Sequence, residues 1–191
     1  MRVYIGSAIW RDVAVGHLRS LVPLLRQPGY AYYPQTGDAL VERARGISAT
    51  YFLRQTDCDI HLSIDSDISD FSIEDTQKLC EAAMTHDIVG GVYVCRSANR
   101  TCPATFYEDG PRVEHAFDHT PVKVKWCATG FLAVHRRVFT KLSEGLTLLH
   151  ASAADRAFYN FYGCFEYQDE DTGEPILLSE DYAFCQRAKD A

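Results

Sequence analysis

No Cys-x-x-Cys pair occurs among the seven cysteines (58, 80, 95, 102, 127, 164 and 185), whose number is odd and whose spacing is irregular. That pattern excludes the common zinc and dithiol motifs and predicts reduced thiols. No apolar run approaches the roughly 18 residues of a membrane-spanning helix. The start, Met1-Arg2-Val3-Tyr4-Ile5, enters a strand pattern without a signal-peptide signature, so a cytoplasmic location is expected. Positive charge is in deficit, with 19 Lys and Arg against 26 Asp and Glu and a net charge of −7. A general nucleic-acid binder, which needs a basic face, is thereby disfavoured. An anionic substrate is not, because a bound divalent ion supplies local positive charge. Internal repeats, low-complexity tracts and linkers are also missing. What remains is 191 residues, 47% hydrophobic and 12% aromatic, the composition of one folded globule.

The first half alternates strand and helix patterns. Residues 2–9 read as a buried strand. Val15, Leu18, Leu21, Val22 and Leu25 recur at helical spacing before Pro28-Gly29 stops the helix. Residues 30–34 read as a second strand, and Asp38 as the N-cap of a helix through Leu40, Ala44, Ile47, Tyr51 and Leu53. Ile60–Ile64 is a third strand, and Ser72-Ile73-Glu74-Asp75 a capping box that opens the next helix. Residues 87–94 form a further strand with the pair Gly90-Gly91. Such alternation predicts an α/β fold with a mixed, mostly parallel sheet flanked by helices. The second half is turn-rich over 99–118, with a hairpin signal at Glu108-Asp109-Gly110. It continues with a half-exposed strand over 122–126, a strand over 131–134, a helix near 137–142, and an aromatic-rich stretch over 157–167 that reads as core. Ser179-Glu180-Asp181 opens the last helix.

The chemistry centres on Asp65-Ser66-Asp67, which follows the apolar strand. Two carboxylates at the end of a buried strand are costly to desolvate unless a cation offsets them. Oxygen ligands suit Mg²⁺ or Mn²⁺, which commonly also bridge phosphates. Ligands in open α/β sheets gather at the carboxyl ends of strands. Asp65 and Asp67 are thus candidate metal ligands beside a diphosphate. Asp-Ser-Asp is also the composition of a solvated turn or a helix cap.

Three segments stand together in order: Asp65-Ser66-Asp67, the stretch Trp126-Cys127-Ala128-Thr129-Gly130 leading into Phe131 and Arg136-Arg137-Val138-Phe139, and Glu180-Asp181-Tyr182-Ala183-Phe184-Cys185-Gln186-Arg187. With Arg45 in the helix before the acidic strand, this series resembles the GT-A-type, family 2-like glycosyltransferases that use nucleotide sugars. The resemblance spans nearly the whole chain and implies a single-domain GT-A fold. Residues 1–98 would be the nucleotide- and metal-binding half, and 99–191 the acceptor-binding and catalytic half. It implies Asp67 as the direct ligand of Mn²⁺ or Mg²⁺, with Asp65 assisting. Ser7, Ala8, Arg45, Asp65 and Ser66 would contact the nucleotide. Trp126, Thr129, Gly130 and Glu180 would line the donor-sugar and acceptor site. Asp181 would be the general base of an inverting transfer. The implied donor is a nucleoside-diphosphate sugar, a UDP-sugar foremost, and the acceptor a glycan, protein or small molecule bound by loops at 99–118 and 151–175. Relatives carry a further His ligand beyond the Glu-Asp helix, and residues 182–191 contain none, which implies a weaker metal site or a shortened form.

Three other readings compete. A haloacid-dehalogenase-type phosphotransferase would use Asp65 as nucleophile and Asp67 as acid/base. A nucleotidyltransferase on a similar fold is a closer cousin. A relative that binds nucleotide without turnover is a third. An EF-hand loop starting at Asp65 fails, because its sixth residue is Asp70 and its twelfth Thr76.

Overall fold

The computed structural model describes residues 1–94, 104–107, 121–151 and 156–191. The expected hairpin at Glu108-Asp109-Gly110 and most of 99–118 lie outside these residues. The chain runs β1 (Val3–Ile9), α1 (Val15–Leu25), β2 (Tyr30–Thr36), α2 (Val41–Gln55), β3 (Ile60–Ile64), α3 (Ile73–His86) and β4 (Ile88–Gly90). It continues with β5 (Ala104–Thr105), β6 (Trp126–Cys127), β7 (Phe131–His135), α4 (Arg136–Glu144), β8 (Leu148–His150), β9 (Ala157–Tyr159), β10 (Phe165–Gln168), β11 (Pro175–Leu178) and α5 (Glu180–Asp190).

A five-stranded sheet in the order β2-β1-β3-β7-β4 forms the centre. β1 pairs in parallel with β2 and β3, from Val3↔Tyr30 and Val3↔Ile60. β7 runs antiparallel to both of its neighbours, β3 and β4. The architecture is therefore mixed α/β with a mostly parallel sheet. Strand alternation sends Val3, Ile5, Ile60, Leu62, Ile64, Phe131 and Ala133 to one face, under Leu21 and Leu24 of α1 and Leu79, Cys80 and Ala83 of α3. Tyr4, Leu132 and Val134 point to the other face. There they meet Phe52 of α2, Phe139 of α4, Phe184 of α5, and Phe161 and Tyr162 from the aromatic stretch.

Local chemistry explains the boundaries. Ser72 and Asp75 form the reciprocal capping box at the start of α3. Gly29, at φ +88°, makes the turn between α1 and β2 that a side chain would strain. Two expectations change. The buried stripe of α1 is His17, Leu21 and Leu24, leaving Val15, Leu18, Val22 and Leu25 exposed, so the apolar spacing there does not mark the core. The strand expected over 122–126 is confined to Trp126–Cys127, and Lys125 is buried instead of half-exposed. Its ammonium lies 3.1 Å from Asp169 and 2.8 Å from Asp171, carboxylates that repay its desolvation.

One consequence of the strand order positions the site. From β1 the chain steps through α1 to β2 on one side, then through α2 to β3 on the other. The crevice at the carboxyl ends of β1 and β3 is a topological switch point, where ligands of open α/β sheets bind.

Candidate active site at the carboxyl edge of β1 and β3

Helix α2 leaves the carboxyl end of β2, so its first turns lie at the same edge as the end of β3. Arg45, in the second turn, is only 8% exposed. One of its terminal nitrogens, Nη2, donates to both Asp65 oxygens at 2.9 Å, and Nη1 donates to Glu180 Oε1. A single guanidinium thus joins the end of β3 to the start of α5, reaching Glu180 across 135 positions of sequence from Arg45. Burial works against its charge, but Asp65 and Glu180 hold its pKa above the ordinary value. A solvated helix-face arginine would show none of this.

The backbone around the two acids is fixed at several points. Asp65 N–H donates to Gly130 O at 2.9 Å, Ile68 N–H to Asp65 O at 3.0 Å, and Ala14 N–H to Ser66 O at 2.9 Å. His17 adds a side-chain tie, its Nδ1 lying 3.0 Å from Ile68 O. Burial lowers the pKa of His17, so the ring is neutral and Nδ1–H donates to the carbonyl. Asp67 is exposed at the turn, and Ser66 half-buried.

Other expected residues take varied positions. Ser7 is buried at the strand edge and spends its hydroxyl proton on Ile64 O at 2.6 Å, with Ala8 half-buried beside it. Gly130 belongs to the site through its carbonyl, and Thr129 is buried with an Oγ1 lacking a hydrogen-bond partner among the described residues. Trp126 packs in the core, stacked on Tyr182 at 5.5 Å with its indole N–H donating to Gln186 Oε1 at 3.0 Å. Asp181 accepts from the Ser179 hydroxyl and from Tyr182 N–H.

Tyr93 was not apparent from the sequence. A Cβ at Gly130 would collide with its hydroxyl, so the phenol lies directly on that glycine. Burial raises its pKa, and the nearby charges of Asp65 and Asp181 raise it further. The phenol therefore remains protonated against Gly130. Its position just beyond β4, which lies in the same sheet as β3, was the available signal.

The donor set bears on a metal. Among the described residues no group of three or more His, Cys, Asp or Glu side chains could enclose an ion. Both Asp65 oxygens face Arg45, and Asp67 is exposed at the turn. Mg²⁺-type ions are commonly held by one or two carboxylates and completed by substrate phosphates. The arrangement fits that kind of site and not a protein-only cage.

No family model and no curated protein matches this sequence. Among solved structures, the chain is similar to the A197 protein from STIV, at 19% identity and a TM-score of 0.61, over 99% of this chain and 78% of that one. The two share a fold. CMP:2-keto-3-deoxy-manno-octonic acid synthetase complexed with CTP also aligns, at 13% identity and a TM-score of 0.45, over 80% of each chain. No helix among the described residues is long and apolar enough to cross a membrane.

Proposed function

We propose that this protein is a metal-dependent glycosyltransferase of GT-A type that moves a sugar from a nucleoside-diphosphate sugar to an acceptor hydroxyl. The observation that supports this reading most is the Arg45 bridge between Asp65 and Glu180 at the switch-point edge. It draws the two separate acidic segments into one centre. A phosphotransferase that used Asp65 as nucleophile fits less well, because the guanidinium faces both of its oxygens.

In this reading Asp67 is the direct ligand of Mn²⁺ or Mg²⁺, and Asp65 assists while held in place by Arg45. When bound, the ion offsets the charge that develops on the leaving diphosphate. Asp181 takes the proton of the acceptor hydroxyl, a poor nucleophile near neutral pH. Glu180, fixed by Arg45, orients the acceptor. The protonated Tyr93 phenol, packed on Gly130, walls the site beside Asp65.

The test combines binding with turnover. Nucleoside diphosphates should raise the melting temperature in the presence of Mn²⁺ by mass action. Asp67→Asn should abolish that increment without lowering the melting temperature of the free protein. Asp181→Asn should keep the increment and lose transfer by about 10²–10⁴-fold, the usual size of a general-base contribution. Near-normal turnover in Asp181→Asn, or retention of the donor's anomeric configuration, would remove Asp181 from its role.

A further inference from the structure

Away from the Asp65 edge, a groove of about 620 Å³ runs between edge strand β2, the later turns of α2 and the start of β9. Its size falls in the range of ligand sites, roughly 300–1,000 Å³. Its floor is aromatic. Tyr33 stacks flat on Tyr4, with ring centroids 4.8 Å apart and planes 4° from parallel. Tyr51 leans over Tyr33 at 5.5 Å. Tyr4 is buried, whereas Tyr33 is 39% and Tyr51 44% exposed, so a backed aromatic surface opens to solvent.

The rim carries planar polar groups. Tyr33 and Gln35 are two apart on β2 and share a face. Gln35 Oε1 accepts from Arg156 Nη1 at 2.7 Å, which leaves the Gln35 amide NH₂ and the other Arg156 N–H groups as donors. Arg54 and Gln55 close the α2 side, and among the described residues no carboxylate lines the groove, although the chain carries a net charge of −7.

We propose that this groove is a carbohydrate-binding site for an oligosaccharide bearing acidic sugars. A pyranose ring presents an apolar C–H face, and a flat tyrosine backed by a second ring suits it. Glutamine and arginine edges match hydroxyl and carboxylate oxygens, with guanidinium giving the stronger, charge-assisted bonds. A single-stranded nucleic acid would also stack on tyrosines, but it requires a basic track along its backbone. Here the groove supplies two arginines in an acidic protein. Arg54 lies nine residues beyond Arg45 on the same helix, a rise of roughly 14 Å. The Arg54 end of the groove is thus removed from the Asp65 edge, while Pro34 and Gln35 at its other end pair with Ser7 and Ala8 of β1; its ligand binding stands whether or not the protein transfers sugar.

The test is binding of the labelled protein to a printed array of neutral and acidic oligosaccharides, with a single-stranded oligonucleotide as a separate arm. Saturable binding to uronic- or sialic-acid-containing glycans is expected. Tyr51→Ala should weaken it at least tenfold, Arg54→Ala should weaken acidic glycans more than neutral ones, and Asp181→Asn should leave it unchanged. Circular dichroism and melting curves establish that each variant is folded. Three results would overturn the proposal: no binding to any glycan, binding indifferent to Tyr51 and Arg54, or tighter binding of the oligonucleotide.

Discussion

The two ends of α2 each meet an arginine, and the two guanidiniums are held in opposite ways. At the amino-terminal end Arg45 faces charges, Asp65 and Glu180. At the carboxyl-terminal end Arg136, from α4, faces neutral backbone. Its nitrogens donate to the carbonyls of Phe52, Leu53, Thr56 and Cys58 at 2.6–3.1 Å, and its plane covers the Phe52 ring at 4.4 Å. Phe52 and Leu53 belong to the last turn of α2, whose carbonyls lack intrahelical donors and where a cation also complements the dipole, and Thr56 and Cys58 follow it. Burial lowers the pKa of Arg136, whereas carboxylates keep that of Arg45 raised. One arginine closes a helix. The other ties the acid at the end of β3 to the acid at the start of α5.

This contrast breaks or sharpens under mutation. The largest expected effect is on stability. Arg136→Ala should cost about 3 kcal/mol, because charged hydrogen bonds to several carbonyls are lost at once. For a chain of this size that lowers the melting temperature by roughly 6–12 °C. Nucleotide affinity, measured by calorimetry at a temperature where the variant is folded, should stay unchanged. Arg45→Ala should reverse the pattern, weakening nucleotide binding by about 1–3 kcal/mol. Arg45→Lys should not restore it, because an ammonium cannot reproduce the fork that reaches Asp65 and Glu180 together. Equal losses of affinity in Arg136→Ala and Arg45→Ala would dissolve the distinction between the two ends.

A pH-dependent effect, smaller than these above about pH 5, comes from β3 where it packs on the middle of the same helix. His61 of β3 packs among Tyr4, Phe52 and Phe139, with Nε2 3.3 Å from Ser48 Oγ. Burial pushes its pKa down to about 3 from 6.5. The unfolded chain therefore binds a proton that the folded protein refuses between these values. Stability from this residue is fully present above about pH 6.5 and falls as pH drops toward 3, by about 1.4 kcal/mol per pH unit. Unfolding free energies at pH 7, 6 and 5 should show a shallower acid slope in His61→Phe than in the parent chain. An identical slope would mean that His61 is not held neutral.

Much of the fold was legible because its signals are local. The apolar run at Ile60–Ile64, the capping box at Ser72 and the acidic start of α5 at Glu180 needed no distant partner. Asp38 was less decisive. The helix begins at Val41, and Asp38 instead accepts from Leu40 N–H and pairs with Arg43. Residues 65–67 and 180–181 could be named as candidates for the same reason. What local pattern does not carry is pairing over distance. The reach of Arg45 to Glu180, the phenol of Tyr93 on Gly130 and the capping of α2 by Arg136 join residues far apart in sequence. Apolar spacing alone also misjudged α1, where His17 joins Leu21 and Leu24 on the core face while Val15, Leu18, Val22 and Leu25 are exposed.

The insertion of β7 between β3 and β4 sets an order in time. β4 precedes β7 in the chain, yet among the described strands it pairs with β7 alone. Until residues 131–135 have been synthesised and docked, one apolar edge of β3 is unpaired and β4 has nothing to join. Contacts of such long sequence separation form slowly, and an uncovered strand edge is prone to associate with other chains meanwhile. Gly130 reaches Asp65, and Glu180 reaches Arg45, only after this step. On a ribosome the strand–helix units built on β1 and β2 can collapse before residues 130 and 180 emerge to complete the acidic edge. A nascent chain of this protein would therefore depend most on chaperones in the interval between β4 and β7.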